Sequence, residues 1–205
     1  MERVSTPVVE WATAARPLEP GQESGDAWLV REPPGGALVA VVDGLGHGPE
    51  AAAAARQAIA VLADAEPDDP LRAVGRCHEV LRGTRGVVMG LAWLDGTRGA
   101  MTWTGVGNVE GVLVRSDRHA VPRREALLAR GGVVGRQLPA LSAAIVPVAP
   151  GDTLVFGTDG IAPRFIGELQ AVGSPQSAAD HILAAHATGT DDALVLVVRY
   201  RGAHA

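Results

Sequence analysis

What this chain lacks narrows its chemistry before any motif is read. Its one cysteine, Cys77, excludes an internal disulfide and every multi-cysteine zinc or iron–sulfur site. Cys77 falls in an expected helix, where the role of a small buried hydrophobe is favoured over that of a reactive thiol. Lysine is absent: all 18 basic residues are arginine. That removes a Schiff base, a P-loop lysine and a Ser–Lys dyad together. Aromatics are 3% of the chain, too few for stacking platforms on single-stranded nucleic acid. No stretch approaches the ~20 apolar residues of a membrane span, and the alanine run 51–55 stops at Arg56. The N-terminus lacks the uncharged run of a secretion signal, so a cytoplasmic location is expected. With a net charge of −5 and dispersed cations, nucleic acid and membrane are not expected partners.

What is present describes a globular chain. The 205 residues are 47% hydrophobic and 20% charged, with no linker, repeat or charge block, so a single domain over 1–205 is expected. Glycine (26) and proline (14) punctuate short apolar runs, the pattern of strands joined by tight turns. The runs predict strands at 25–30, 37–42, 86–94, 100–104, 109–115, 144–148, 153–158 and 193–200. Helices are expected at 49–65, 70–82 and 177–187, the first two opening on a proline and the third capped by Ser174 or Ser177. This order reads as α+β, with helices covering a mostly antiparallel sheet or pair of sheets.

The informative residues are aspartates at the ends of apolar strands. Asp43-Gly44 closes Val39–Val42, Asp159-Gly160 closes Leu154–Thr158, and Thr190-Asp191-Asp192 precedes the last strand. Ser24-Gly25-Asp26 opens the partner of the strand that ends at Asp43. A lone Asp-Gly is ordinary turn chemistry, and Asp95-Gly96 is read as that. Several carboxylates on stiff strand ends can converge, and converging carboxylates repel unless a cation sits among them. Oxygen-only ligation favours Mg²⁺ or Mn²⁺ over zinc. Two such ions can hold phosphate oxygens and activate water for in-line attack.

Taken in order, Ser24-Gly25-Asp26, Val41-Val42-Asp43-Gly44-Leu45-Gly46-His47-Gly48, the segment 150–160 ending in Thr158-Asp159-Gly160, and Thr190-Asp191-Asp192-Ala193 resemble the metal-dependent protein phosphatases, the PPM family, in their SpoIIE-like bacterial branch. The small size and the segments 104–111 and 132–135 are most similar to the stand-alone phosphatases of the stressosome. The resemblance implies an α-β-β-α sandwich that hydrolyses phosphoserine or phosphothreonine on a protein, with two Mn²⁺ or Mg²⁺ ions. By motif, Asp43 would bridge both ions and the Gly44 carbonyl would bind one. Asp159 and Asp191 would complete the second, and Asp26 would reach a metal-bound water or a further ion. Asp192, also in the metal set, ranks below Asp191. Phosphorylated STAS-domain proteins of a stressosome are the implied partners, and a monomer is expected.

The sequence departs from the family in three places. Leu45 stands where larger members place a histidine, and His47 follows two residues later. No arginine is assigned to phosphate; Arg3, Arg16 and Arg136 are candidates. Leu194 replaces a threonine. His78, His119, His181, His186 and His204 are read as structural or surface residues, with His181 and His186 on different helix faces. Asn108 reads as a turn residue. Two rival readings remain open: a phosphatase of an anti-anti-sigma factor, and a catalytically silent binding module of the same fold. An aspartyl-phosphate mechanism is disfavoured, since no Asp-x-Asp occurs.

Overall fold

The strand Gly36–Gly44 (β3) sets the architecture, because it is buried along both faces. Leu38, Ala40 and Val42 pack toward helices, while Ala37, Val39 and Val41 pack into a second core between two sheets. A strand covered on both sides must be a near-continuous apolar run, as this one is. The final strand repeats the arrangement: Leu194, Leu196 and Val198 enter the inter-sheet core, and Ala193, Val195 and Val197 face a third apolar cluster outside it.

The computed structural model describes residues 7–169 and 173–202. Its strands are Val9–Arg16 (β1), Asp26–Arg31 (β2), β3, Val87–Asp95 (β4), Ala100–Val106 (β5), Glu110–Val114 (β6), Arg124–Leu127 (β7), Ala144–Pro147 (β8), Thr153–Gly157 (β9) and Ala193–Tyr200 (β10). The helices are Pro49–Ala63 (α1), Pro70–Val80 (α2), Phe165–Glu168 (α3) and Pro175–His186 (α4). Two five-stranded sheets form, ordered β2-β3-β4-β5-β8 and β1-β10-β9-β6-β7, with every pairing between named strands antiparallel. Helices α1 and α2 cover the first sheet; α3 and α4 cover the second. The α-β-β-α sandwich is therefore present.

Local chemistry explains the helices. Asp69 caps α2 by accepting from the Arg72 N–H at 3.0 Å, and Pro70 takes the first position. Ser174 caps α4 through the Ser177 N–H, so the helix begins two residues before the expected 177, on Pro175. Helix α1 packs almost wholly through alanines, which lets it lie close on the first sheet. Cys77 is buried in α2 and burial pushes its thiol up to about 12, as its reading as a core residue requires. Asp95 accepts from Thr97 and Arg98 backbone N–H groups, the turn chemistry expected of Asp95-Gly96. Strands β1 and β7 and helix α3 were not foreseen from the sequence pattern. Arg3 and His204 lie outside the described residues.

Candidate metal centre

Pairing of β2 with β3 places Asp26 directly opposite Asp43. Directly opposed residues share a face, with Cβ atoms about 5 Å apart. Asp43 is in phase with Ala37, Val39 and Val41, so both carboxyls project into the gap between the sheets. The second sheet meets them there. Thr158, fully buried at the end of β9, donates its hydroxyl to Asp26 Oδ2 at 2.8 Å and accepts from the Leu194 N–H at 3.0 Å. One hydroxyl thus ties β9 and β10 to a carboxylate of the opposite sheet.

Asp159 follows Thr158, and Asp191 sits on the turn before β10. Asn108, from the turn between β5 and β6, donates Nδ2 to Asp159 Oδ2 at 3.0 Å. The turn reading of Asn108 missed this contact. Its signals were its position at a strand end and its being the only asparagine in the chain. Asp192 behaves differently: its carboxylate accepts from the Leu18 and Gly25 N–H groups, both at 2.7 Å, and is only 5% exposed. It binds the start of β2 to the start of β10.

Both Asp-Gly pairs owe their glycine to close approach. A Cβ at Gly44 would stand 2.2 Å from the Ala51 carbonyl oxygen, and one at Gly160 would stand 2.0 Å from that of Asp192. Neither glycine has a positive φ. Their absent side chains let α1 settle on the end of β3 and the 158–161 turn settle on the end of β10. The Gly44 N–H donates to the Gly25 carbonyl at 3.0 Å. A Cβ at Gly25 would lie 3.2 Å from the Gly44 carbonyl oxygen, which fixes that oxygen beside the start of β2.

The electrostatics state what the cluster is missing. Burial pushes Asp43 up to about 9, with repulsion from Asp26, Asp159, Asp191 and Asp192 adding to it. Burial likewise raises Asp26 to about 7 against the opposing Thr158 hydrogen bond, helped by Asp192, Asp159 and Asp191. Asp159 is raised by burial and by Asp191. Among the described residues, no arginine is among the main causes of these shifts. Four acids, Asp26, Asp43, Asp159 and Asp191, therefore face one another across the mouth of the sandwich, and among the described residues none of them has an ion-pair partner.

A divalent ion fits that deficit. The donors are carboxylate and carbonyl oxygens, the ligands of Mg²⁺ and Mn²⁺. Among the described residues no three His, Cys, Asp or Glu side chains are gathered tightly enough to hold an ion by themselves. Mg²⁺ characteristically takes one or two carboxylates and keeps several waters, so side-chain pairs with the Gly44 carbonyl suit it.

The other sequence candidates lie around this mouth. His47 is exposed on the loop after Gly44. Arg16 is exposed at the end of β1, opposite Ala193 and beside the Asp191–Asp192 turn. Arg136 is exposed next to Gly86. His181 and His186, expected on different faces, line one cavity of about 300 Å³ with Phe165 and Glu168. Phe165 of α3 shares an apolar cluster with Ala179 and Ile182 of α4. Exposed His181 and buried His186 face that cavity, apart from the acids.

Residues 33–201 match the family described as Stage II sporulation protein E (SpoIIE). The chain belongs to that family. Its fold is the one seen in PPM phosphatases. A chain from the structure described as "The bacterial stressosome: a modular system that has been adapted to control secondary messenger signaling" is 30% identical, with a TM-score of 0.83 over 93% of this chain and 99% of that one. RsbX in complex with magnesium is 17% identical, with a TM-score of 0.82 over 98% of both chains. The PP2C phosphatase domain with a fragment of the regulatory domain of SpoIIE from Bacillus subtilis is 20% identical, with a TM-score of 0.80, over 96% of this chain and 64% of that one. The last two likenesses speak for the fold alone. No functionally curated sequence matches this one. Among the described residues no helix is long and apolar enough to cross a membrane.

Within this SpoIIE-family site, Thr158→Val keeps the shape of the side chain and deletes the inter-sheet hydroxyl. The Asp26 carboxylate loses its donor and the buried Leu194 N–H its acceptor, which should cost about 1–3 kcal/mol of stability. Weaker Mn²⁺ binding should accompany it, with recovery of both in Thr158→Ser. Urea unfolding and calorimetric Mn²⁺ titration read the two effects; unchanged Mn²⁺ affinity in the valine variant would show that the hydroxyl does not position Asp26.

Proposed function

We propose that this chain is a phosphoserine/phosphothreonine protein phosphatase acting on phosphorylated STAS-domain proteins of a stressosome, as a single-domain, cytoplasmic monomer using two Mn²⁺ or Mg²⁺ ions. The observation that carries the reading is the set of converging strand-end carboxylates, Asp26 and Asp43 half-buried among them, that have no ion-pair partner among the described residues. The stressosome likeness at 30% identity supports the choice of substrate class.

The residues divide the work by position. Asp26 and Asp43 supply the charges of the first sheet, Asp159 and Asp191 those of the second, and the Gly44 carbonyl adds a neutral oxygen. Bound Mg²⁺ or Mn²⁺ supplies Lewis acidity toward water and phosphoryl oxygens. Thr158 orients Asp26, and Asn108 holds Asp159. Asp192, both oxygens engaged by backbone N–H groups, is a positioning residue that registers β2 against β10.

Hydrolysis of p-nitrophenyl phosphate should require Mn²⁺ or Mg²⁺ and stop on addition of EDTA. Turnover that survives chelation would overturn the metal-dependent reading. Phosphorylated STAS-domain stressosome proteins and a phosphorylated anti-anti-sigma factor, compared as substrates with Mn²⁺ present, decide the target. A higher kcat/KM on the anti-anti-sigma factor would replace the stressosome assignment.

A further inference from the structure

Beside the acids lies a cationic feature that this chemistry does not use. A cavity of about 370 Å³ opens between the start of α1, at Glu50, Ala54 and Gln57, and the turn into β4, at Thr84 and Arg85, with Arg136 lining it as well. Its walls are tied in place. The Leu45 N–H donates to the Gly86 carbonyl, joining the loop after Asp43 to the turn that carries Arg85. Val87 and Val134 exchange two backbone hydrogen bonds, and the Gly135 N–H donates to His78 Nδ1, so the segment bearing Arg136 is anchored on both sides.

The cavity also adjoins the metal centre. A Cβ at Gly46 would lie 2.9 Å from Arg85 Nη1, which places that guanidinium on the loop 45–48. The carbonyl oxygens of Gly44 and Gly46 both face Gly25, the residue before Asp26. A single thickness of backbone therefore separates the arginine from the start of β2.

Its charge is opposite to that of the centre. Arg85 Nε pairs with Glu50 at 2.6 Å, but the two side chains are 45% and 73% exposed, and a pair this open exchanges readily for another carboxylate. Arg136 has no ion-pair partner among the described residues. Two guanidiniums against one carboxylate leave a positive lip beside an acidic mouth, in a chain whose net charge is −5. Guanidinium forks match carboxylates in pairs of parallel hydrogen bonds. A protein segment that leaves the mouth over the loop 45–48 would meet this lip at Arg85.

We propose that this cavity docks an acidic segment next to the phosphorylated residue of the substrate protein, with Arg85 and Arg136 as specificity-determining residues. The inference rests on the phosphatase reading above and adds the charge of the substrate's flanks to it.

Phosphoserine peptides that differ only in having acidic or neutral flanks test it, each assayed with Mn²⁺. The parent should favour the acidic peptide about tenfold in kcat/KM, mostly through KM. In the double variant Arg85→Gln/Arg136→Gln the ratio should fall close to one, and Glu50→Gln should raise it by freeing Arg85. Because the ratio is taken within each variant, any general loss of activity cancels. The preference should also shrink in 1 M NaCl, where the screening length is about 3 Å. Equal ratios in parent and double variant would overturn the docking role. The unphosphorylated peptides, fluorescein-labelled and titrated with the Mg²⁺-loaded protein, read the cavity without turnover. Tighter binding of the acidic peptide that is lost in the double variant upholds it even where no peptide is hydrolysed, and that combination would sink the phosphatase reading alone. Equal binding of both peptides to the parent would sink the cavity alone.

Discussion

Asp43→Asn is expected to abolish turnover while leaving the metal-free fold intact. Asp43 is the most strongly perturbed acid of the cluster, pushed up to about 9 by burial and by the acids around it. At neutral pH, without metal, it is therefore held mainly as the uncharged carboxylic acid, and asparagine is close to that form in shape and charge. Folding should lose little, and at higher pH the variant should be the more stable protein, because it cannot acquire the repelling charge. Catalysis has the opposite requirement. Asp43 faces Asp26 across β2–β3 and lies beside the Gly44 carbonyl, so it is the acid best placed to contribute charge to an ion held there. Removing that charge should lower kcat by about 10³-fold, since a Lewis acid's contribution is several kcal/mol and each 1.36 kcal/mol is tenfold. Mn²⁺-dependent p-nitrophenyl phosphate hydrolysis and thermal melts in EDTA measure the two halves. A variant that keeps most of its activity would remove Asp43 from the centre. One that melts far below the parent in EDTA would make it structural.

The elements that could be read in advance share a physical cause: burial on both faces. β3, β9 and β10 show as apolar runs because helices cover one face and the opposite sheet covers the other. β1 is an edge strand of Val-Glu-Trp-Ala-Thr-Ala-Ala-Arg, short of β-branched residues, and its alternating burial left too weak a pattern to see. Its strandedness comes from eight residues of pairing with β10, whose residues lie 177 to 191 positions further along the chain (193 − 16 and 200 − 9). β7, four residues on the opposite edge, is weaker still.

The site followed the same logic. Asp43 and Asp159 are conspicuous because each ends an apolar strand. That Asp192 turns inward to the Leu18 and Gly25 N–H groups could not be seen, because neighbouring aspartates look alike until backbone donors choose between them. Arg85 was invisible for a related reason. Only the packing of the turn before β4 against the loop after β3 brings it to Gly46.

Stability of the metal-free protein should fall as pH rises from about 5 to about 9, the reverse of the usual behaviour of paired carboxylates. Aspartate titrates near 3.9 in an unfolded chain, whereas folding raises Asp26 to about 7 and Asp43 to about 9. Between those limits the native state holds protons that the unfolded state has released, so the unfolding free energy declines with pH. The stabilisation is complete below about pH 4, is lost first through the titration of Asp26, and then through that of Asp43. Asp159, also raised, acts in the same direction. With each tenfold change in proton affinity equal to about 1.4 kcal/mol, the fall should reach several kcal/mol. Asp95 is shifted the other way, but it sits in an open turn and titrates at the acid end, outside this window. Excess Mg²⁺ or Mn²⁺ should reverse the trend, because the ion binds the ionised carboxylates and competes with their protons. The gap between loaded and metal-free stability should therefore widen with pH. Urea unfolding in EDTA and in excess Mn²⁺ across this range measures both curves, and Asp43→Asn should flatten the upper part of the metal-free one. A metal-free protein whose stability stays level from about pH 5 to about pH 9 would mean that these acids do not crowd one another.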